Sequence, residues 1–266
     1  MKILVTGATG YLGRRVMQRL SGAEALERVD LTDASAAARA LTPWRWDAIV
    51  NAAGRAPKSL RDWSDARDIL TSHVRIAVNL SRLVPETARI VHVSSSVAYG
   101  VPARLPVAEN HSRAPLDAYA LAKVLSEDVL AGHPDVWLLR MGGLFSEERT
   151  DGALYHFLHN AKLGKPIRVT ATEPLVWDIL HVDDAVDAID HAVRKPGEGP
   201  VNVSTGESID LVGVAERIAS RYGGVVENVT GVAHPSFACD ITKLRRSFGW
   251  RPMSLDERLD AWWRAL

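Results

Sequence analysis

Two short stretches of the sequence carry side chains that could share one reaction. The hydroxyls of Ser94, Ser95 and Ser96 end an apolar run, and Tyr119 and Lys123 lie four residues apart in the motif YALAK. On a helix, residues i and i+4 project from one face, so the phenol and the ammonium can meet. A cation beside a phenol lowers its pKa from about 10 and prepares it to exchange a proton with an alcohol or a ketone. A serine hydroxyl at a strand end can hold the same substrate oxygen.

Each of these features also has a simpler structural explanation. A tyrosine and a lysine at this spacing can be a packed ring and a side chain that extends to solvent. Serines at a strand end often bond only to nearby backbone groups. The chemical interpretation is favoured because both stretches occur together with a glycine motif near the start of the chain.

That glycine motif is GATGYLG, in which Gly7, Gly10 and Gly13 follow the apolar run KILVT. A tight turn from a strand into a helix needs glycine, and bare backbone lets a pyrophosphate approach. The start of the helix offers N–H groups and a positive dipole end. The motif predicts a dinucleotide cofactor, and the alternative is an ordinary strand-to-helix turn.

Strands and helices of alternating type must position these residues. After the first strand and helix, the pattern predicts strands at 28–31, 47–54, 89–96 and 136–143, and helices at 34–44, 66–84 and 117–131. Apolar strands that alternate with amphipathic helices indicate a parallel sheet covered on both faces. The predicted fold class is therefore α/β, a Rossmann-type doubly wound parallel sheet with a small C-terminal α/β substrate module.

The pattern changes at about residue 145, where shorter helices and strands are separated by glycine and proline. We expect residues 1–144 to form a dinucleotide-binding domain and residues 177–203 to return to it. Residues 145–266 are expected to form mainly a substrate-binding module that is interleaved with that domain. Between Gly13 and Asn51 there is room for one short strand, so the usual second strand is expected to be truncated or merged with the third.

Composition excludes several classes of partner. The 266 residues include 32 basic and 32 acidic side chains, so the net charge of zero gives no case for nucleic acid or an anionic membrane. The single cysteine, Cys239, excludes an intramolecular disulfide and a cysteine-based zinc site. Glycines interrupt the first apolar run too early for a signal peptide. We therefore expect a cytoplasmic protein with a small-molecule substrate.

The motifs, in this order, resemble the extended short-chain dehydrogenase/reductases of the NAD-dependent epimerase/dehydratase family. Similar blocks run along nearly the whole chain: TGATGYLG, NAAG, VSSSVAYG, YALAK, LLRMGGLF, LHVDDAVDAI, VNVSTGESIDL and DITKLRRSFGW. The resemblance implies that Ser95 is the catalytic hydroxyl, that Tyr119 is the acid/base, and that Lys123 is its electrostatic partner and a ribose ligand. It implies cofactor contacts from Gly7, Gly10, Tyr11, Leu12, Gly13, Asp30, Leu31, Ala52, Ala53, Gly54, Ser94, Tyr119, Lys123 and Met141. It also implies a homodimer built on the helices at 66–84 and 117–131.

The sequence departs from the family pattern at several positions. Ser96 and Val97 stand where dehydratases carry an Asp-Glu pair, which disfavours elimination. Trp177 and Gly143 stand where sugar-nucleotide members often have arginine and asparagine, and the loss of a guanidinium weakens the case for a diphosphate-linked sugar. Ser96, Gly143 and Trp177 are the predicted substrate contacts. His73, at a position commonly held by asparagine, is expected to be structural.

The choice between NAD and NADP stays open at this point. Asp30 lies where an acidic residue would hold the ribose of NAD. Arg14, Arg15 and Arg28 could equally bind the 2′-phosphate of NADP. NAD is slightly favoured.

Histidines in the second half do not form a convincing metal site. His156 and His159 lie three residues apart on a predicted helix, and His181 precedes Asp183 and Asp184. Neither group has a third ligand in register, so no metal is predicted. Asp183 or Asp184 is expected to cap a helix instead.

Together the sequence predicts an NAD(P)-dependent oxidoreductase or epimerase that acts on a hydroxyl or keto carbon of a sugar or nucleotide sugar. Hydride transfer would be accompanied by proton exchange at Tyr119. One alternative is a reductase or dehydrogenase of a non-nucleotide ketone or alcohol, which Trp177 and Gly143 favour. A second is a cofactor-binding sensor without chemistry, which would need the glycine turn but not Ser95, Tyr119 and Lys123.

Overall fold

Strands and helices alternate through residues 3–141, and the order is less regular in the second half of the chain. The computed structural model describes residues 1–26, 28–42, 45–57, 63–146, 148–150, 152–170, 176–229 and 236–265. Their strands are β1 (Ile3–Thr6), β2 (Glu24–Leu26), β3 (Ala48–Asn51), β4 (Arg89–Ser95), β5 (Val136–Met141), β6 (Gly143–Phe145), β7 (Ile167–Val169), β8 (Val176–Trp177), β9 (Ile179–His181), β10 (Gly199–Val203), β11 (Ile209–Asp210) and β12 (Val226–Asn228). Their helices are α1 (Tyr11–Arg19), α2 (Ala34–Leu41), α3 (Ala66–Leu83), α4 (Ala118–Leu130), α5 (Ala153–Lys162), α6 (Val182–Arg194), α7 (Leu211–Tyr222), α8 (Thr242–Phe248) and α9 (Leu255–Ala265), with a 3-10 turn at Ser96–Tyr99.

The central sheet has six parallel strands in the order β2-β1-β3-β4-β5-β10. Strands β2 and β3 lie on opposite sides of β1, so the order of strands reverses there. In open sheets of this type, ligands bind outside the carboxyl ends of the strands at such a reversal. The predicted α/β fold with a Rossmann-type parallel sheet is confirmed.

Each face of the sheet packs against its own hydrophobic core. Ile49 and Ile90 pack in one core with residues from α2, α3 and α4. Their neighbours Val50 and Val91 pack in the other core with residues from α1, α6 and α8. Because successive strand residues point to opposite faces, a strand covered on both faces needs a continuous apolar run. This requirement explains the apolar runs at residues 3–5 of β1 and 48–50 of β3.

The second half of the chain contributes to the sheet and also forms a third core. Strand β10 pairs with β5, and α6 packs against α1. Helices α5, α7 and α9 pack with β7 and β9 around a separate apolar cluster. Three two-stranded sheets, β6 with β9, β7 with β12 and β8 with β11, lie in this half. The boundary at residue 144 remains a prediction.

In the described part of the chain, no helix combines the length and apolar character needed to cross a membrane.

The predicted strand over residues 28–31 is wrong, because β2 lies at Glu24–Leu26. Gly22, with a φ of +81°, turns the chain soon after α1, so pairing with β1 begins earlier. Arg28 has a φ of +57°, which ends the extended conformation. Asp30 Oδ1 then accepts the backbone N–H of Thr32 at 2.9 Å and starts a turn.

Candidate active site

The glycine turn between β1 and α1 is closely packed. Gly7 has a φ of +69°, and a Cβ on Gly13 would lie 2.1 Å from the carbonyl oxygen of Gly7. The N–H of Gly10 donates to that carbonyl at 2.9 Å. Helix α1 begins after Gly10 with no side-chain cap and no acidic residue in its first turn. Its N–H groups and positive dipole end are therefore available to an anion such as a pyrophosphate.

The residues that flank this turn have different surroundings. Leu12 is buried in the sheet core, and the hydroxyl of Tyr11 donates to Ser146 Oγ at 2.6 Å. Asp30 is exposed, and hydrogen bonds from Thr32 lower the pKa of its carboxyl. Leu31 is buried in the core between the sheet and helices α2 and α3, so its side chain does not form an open surface. Among the residues that flank the turn, Asp30 is the one whose carboxylate can accept a hydrogen bond from a ribose hydroxyl.

Ala52, Ala53 and Gly54 follow β3 at the same edge of the sheet. Gly54 has a φ of +140°, and a Cβ there would lie 2.2 Å from the ring of His73. The His73 ring also lies edge-on to Tyr119, with 5.6 Å between the ring centroids. Burial, with a smaller contribution from Lys123, lowers the pKa of His73 to about 3. His73 is therefore a neutral side chain that fills the space between this loop and the phenol.

The three serines at the end of β4 have three different environments. The Ser94 hydroxyl is buried and donates to Glu127 Oε1. Ser95 lines a cleft between the end of β4 and the second half of the chain, and its Oγ accepts the N–H of Val97 at 3.4 Å. Ser96 is buried in the 3-10 turn and is not among the residues that line the cleft. Of the three hydroxyls, that of Ser95 is placed to meet a ligand in the cleft.

Helix α4 presents Tyr119 and Lys123 to the end of β4. Asp117 caps the helix by accepting the N–H of Ala120 at 2.7 Å, which fixes its start two residues before the phenol. Lys123 Nζ donates to the carbonyl oxygen of Val93 at 2.7 Å and lies 5.4 Å from the centroid of the Tyr119 ring. Tyr119 lines the cleft and Lys123 is buried beneath it.

The protonation of this pair differs from the expectation based on Lys123 alone. Burial, with a smaller contribution from Asp117 and against the opposing effect of Arg149, raises the pKa of Tyr119 to about 12. Burial lowers the pKa of Lys123 to about 8, against the opposing effect of Glu127. The nearby cations alone therefore do not bring the phenol pKa below its ordinary value. Loss of solvent around the ring outweighs the nearby cations.

The cleft has a volume of about 660 Å³ and lies between the end of β4 and the second half of the chain. Predicted site residues on its surface are Ser94, Ser95, Tyr119, Met141, Gly143 and Trp177. The opposite wall is largely apolar and includes Phe145, Leu154, Trp177, Ile179 and Leu211. The glycine turn lies outside this surface, and Tyr11 connects the two through its bond to Ser146.

Sequence reasoning missed several residues of the cleft. Arg149 lines it, donates to the carbonyl oxygen of Leu144 at 2.8 Å, and lies over the Tyr11 ring at 5.6 Å from the centroid. Tyr155 and His156 from α5 also line it. Arg149 follows an irregular segment with no periodic pattern, so nothing in its spacing indicated the cleft. Helical spacing identified His156 but not the direction of its side chain.

One predicted helix cap is wrong. His181, not Asp183 or Asp184, caps α6, because its Nδ1 accepts the N–H of Asp183 at 3.3 Å. Asp183 instead pairs with Arg15 at 3.0 Å. Across the described ranges, no group of three or more metal-binding side chains is present.

Comparison with known proteins gives a consistent result. The chain matches the NAD dependent epimerase/dehydratase family over residues 3–205. A probable dTDP-4,6-dihydroxy-2-methyloxan-3-one 4-ketoreductase of Streptomyces antibioticus is 29% identical over 253 residues, which cover 88% of this chain and 82% of the relative. The UDP-glucose 4-epimerase of Azospirillum brasilense is 22% identical, with coverage of 97% and 89%. The crystal structure of the Bordetella bronchiseptica enzyme WbmG in complex with NAD has a TM-score of 0.82 at 23% identity, with coverage of 96% and 89%.

Proposed function

The chain belongs to the NAD dependent epimerase/dehydratase family, and on that basis we propose that it is an NAD(P)-dependent oxidoreductase or epimerase acting on a hydroxyl or keto carbon of a sugar or nucleotide sugar. The observation that carries the proposal is the placement of Ser95 and Tyr119 on one wall of the cleft, with Lys123 beneath the phenol. Two relatives are named as a 4-ketoreductase and a 4-epimerase, and both names describe reactions at such a carbon.

The residues of the glycine turn fit a dinucleotide. Gly10 carries no side chain, and the first turn of α1 has no acidic residue, so an anion meets bare N–H groups and no like charge. Gly10, Tyr11 and Leu12 would hold the pyrophosphate, and Asp30 the adenosine ribose. Lys123 and Tyr119 would hold the second ribose, with Ala53 and Met141 beside the ring. When bound, the nicotinamide supplies the hydride chemistry.

Tyr119 holds the proton that is exchanged with the substrate. Because its pKa is raised to about 12, the phenol is protonated at neutral pH and can donate to a carbonyl oxygen that is being reduced. In the oxidation direction the same hydroxyl must first lose its proton. The ammonium of Lys123 and the guanidinium of Arg149 are the neighbouring cations that favour the phenolate.

Ser95 orients the reacting oxygen. Its hydroxyl already accepts the N–H of Val97, which leaves its own proton to donate to a substrate oxygen. Lys123 supports the phenol and is itself fixed by the carbonyl of Val93. The three side chains come from one strand end and one helix, so their spacing does not depend on a mobile loop.

A second candidate is a reductase of a non-nucleotide ketone or alcohol. Trp177 lies on the cleft wall, and Arg149 is the permanently charged side chain among the described residues that line it. That guanidinium already donates to Leu144 and lies over the Tyr11 ring. A cleft of this composition has few groups that could bind a diphosphate, and its apolar surface favours an apolar group of the substrate.

We propose NAD as the preferred cofactor. The Asp30 carboxylate is exposed, and its pKa is lowered by Thr32, so it is ionised at neutral pH and would repel a 2′-phosphate. Arg15 is already paired with Asp183 and Glu148. Comparison of NADH and NADPH affinities, in the protein and in its Asp30→Asn variant, tests this preference.

The first experiment is to denature the purified protein and identify the nucleotide that it releases. Retained NAD, together with interconversion of 4-epimers of a nucleotide sugar, supports the epimerase form of the proposal. A protein that is empty and oxidises NADH in the presence of a 4-keto nucleotide sugar supports the reductase form. Reaction only with simple ketones selects the second candidate. A protein that binds NADH but converts none of these compounds overturns both and favours the sensor.

Two finer predictions also remain proposals. A homodimer would form through α3 and α4, and the exposed Leu125 on α4 is a residue that such contact would cover. Light scattering on the purified protein would give the mass that decides between monomer and dimer. A cytoplasmic location is the second, and it is tested by cell fractionation.

A further inference from the structure

Glu127 is a buried charge beside the active site that the proposed mechanism does not use. It lies one turn after Lys123 on α4, and its side chain is 1% exposed. Arg140 on β5 pairs with it through Nη2, 2.7 Å from Oε2, and through Nε, 3.1 Å from each carboxylate oxygen. Arg113 Nη1 also lies 3.5 Å from Oε2, so two guanidiniums hold the carboxylate in position. Its loss would leave the buried Arg140 uncompensated.

The same carboxylate contacts the end of β4. Its Oε1 accepts the hydroxyl of Ser94, the residue directly before Ser95. The preceding residue, Val93, accepts Lys123 Nζ through its carbonyl oxygen. Two consecutive strand residues are therefore joined to α4 by side chains one helical turn apart. These two bonds set the distance between the strand that carries Ser95 and the helix that carries Tyr119.

We infer that Glu127 is a positioning residue of the active site, which fixes the end of β4 through Ser94 and whose negative charge keeps Lys123 in its ammonium form. The inference rests on the proposed function, because it assigns a task to a neighbour of the same catalytic side chains. It adds a residue that touches neither the cleft surface nor a reacting atom.

The charges around Lys123 support this assignment. Burial lowers the pKa of Lys123 to about 8, and Glu127 is the neighbour that raises it. The other titratable groups that face the ammonium are Tyr119 on α4, His73 on α3 and His92 on β4. The two histidines have pKa values lowered by burial and are neutral, and the phenol is protonated. The carboxylate of Glu127 is thus the negative charge that acts on this lysine.

A second buried ion pair provides a matched control. Asp184 on α6, 2% exposed, pairs with Arg258 on α9 at 2.8 Å and also accepts the N–H of Met253. Replacement of either carboxylate leaves a buried guanidinium without its partner, so both should lower stability. Of the two pairs, that of Glu127 is the one in contact with the end of β4.

The test is an NMR titration of lysine side chains labelled with 13C at Cε, without substrate or cofactor. Disappearance of one signal in Lys123→Arg assigns the resonance of Lys123. In Glu127→Gln we expect the Lys123 titration to move to lower pH by roughly one unit. Glu127→Asp, which keeps the charge, should restore most of the shift, and Asp184→Asn should leave the titration at its original pH.

If Glu127→Gln does not fold, the double variant Glu127→Gln/Arg140→Met removes both charges, a change that buried pairs often tolerate. It should show the same direction of shift. A Lys123 titration at the original pH in the folded variant overturns the inference, as does an equal shift in Asp184→Asn. Turnover by the unaltered protein and by Tyr119→Phe tests the proposed function separately, since the titration is recorded without a reaction.

Discussion

The two walls of the cleft are built from different kinds of contact. On the wall formed by β4 and α4, the buried polar side chains beneath the surface have fixed partners, as Lys123 has in Val93 and Ser94 has in Glu127. The opposite wall, which includes Phe145 and Trp177, is mainly apolar surface from the second half of the chain. Hydrogen bonds fix atoms to a few tenths of an ångström, whereas apolar surfaces set shape. The first wall is thus suited to chemistry and the second to selection of substrate.

The largest expected effect is that of Tyr119→Phe. Loss of the general acid should lower kcat/KM by about 10²- to 10⁴-fold, while the affinity for NADH falls by no more than about tenfold, the cost of one lost hydrogen bond to the ribose. Steady-state kinetics and NADH fluorescence titration measure the two quantities. Tyr155→Phe on the opposite wall is the matched control and should keep most of its activity. Equal losses in the two variants would remove the distinction between the walls.

The second largest effect is expected at the glycine turn between β1 and α1, which belongs with the wall formed by β4 and α4 and not with the apolar wall. In Gly13→Ala the new Cβ would lie 2.1 Å from the Gly7 carbonyl, so the turn must distort. We expect NADH affinity to fall by at least about tenfold, because the distorted turn moves the N–H groups that would bind the pyrophosphate. The free energy of unfolding should fall by about 1–3 kcal/mol. Calorimetric titration and urea unfolding check both. Gly132→Ala, where a Cβ meets no atom within 4 Å, should change neither.

Titration of Lys123 should change activity and stability in opposite directions. As pH rises through about 8, Lys123 loses its proton and kcat/KM for the keto substrate should fall, by up to about tenfold per unit. The pKa of this lysine is lower in the folded chain than its usual 10.5, so the unfolded chain binds more protons between about 8 and 10.5. The contribution of Lys123 to stability should therefore rise over the window in which activity falls.

Lys123→Arg is the variant that checks this assignment. A guanidinium stays protonated over the whole range, so the alkaline fall in kcat/KM should disappear even if the rate itself is lower. Persistence of the fall in this variant would assign it to another group. Parallel urea unfolding at pH 7 and pH 10 measures the stability change.

The smallest expected effect lies on the apolar wall. Trp177→Ala removes contact surface from the substrate and should raise KM by a few-fold, with kcat within about twofold of the original value. The same variant should convert a wider range of ketones or sugars, because the cleft becomes larger. A large loss of kcat would show that this wall also positions reacting atoms.

The sequence predicted the wall formed by β4 and α4 better than the apolar wall, and the reason is physical. The spacing of Tyr119 and Lys123 on one helix and the position of Ser95 at a strand end are local properties. The partner of Ser94 is not local, since Glu127 lies 33 residues further along the chain. Sequence reasoning therefore predicted Ser94 as a cofactor contact from its place at the strand end, but it could not predict the bond from the Ser94 hydroxyl to Glu127.

Other differences arose where burial or a single backbone angle decides the outcome. The phenol pKa was expected to follow the charge of Lys123, but loss of solvent dominates it. The second strand was placed at residues 28–31 by its apolar pattern, and the positive φ of Arg28 excludes that position. The alternation that gave the α/β fold was reliable because it is repeated along the chain, and one misplaced strand does not alter it.

The uncapped start of α1 has a consequence for protein engineering. An acidic residue at the beginning of a helix typically adds about 0.3–1 kcal/mol, so Gly10→Asp is a change that a screen for heat resistance would select. A Cβ at residue 10 would lie 3.2 Å from the Gly7 carbonyl, a contact that a small shift relieves. The new carboxylate would accept the N–H groups of the first turn and repel a phosphate. Thermostable variants of this protein should thus carry substitutions at residue 10 at the expense of ligand binding, and a selection scheme needs to hold that residue fixed.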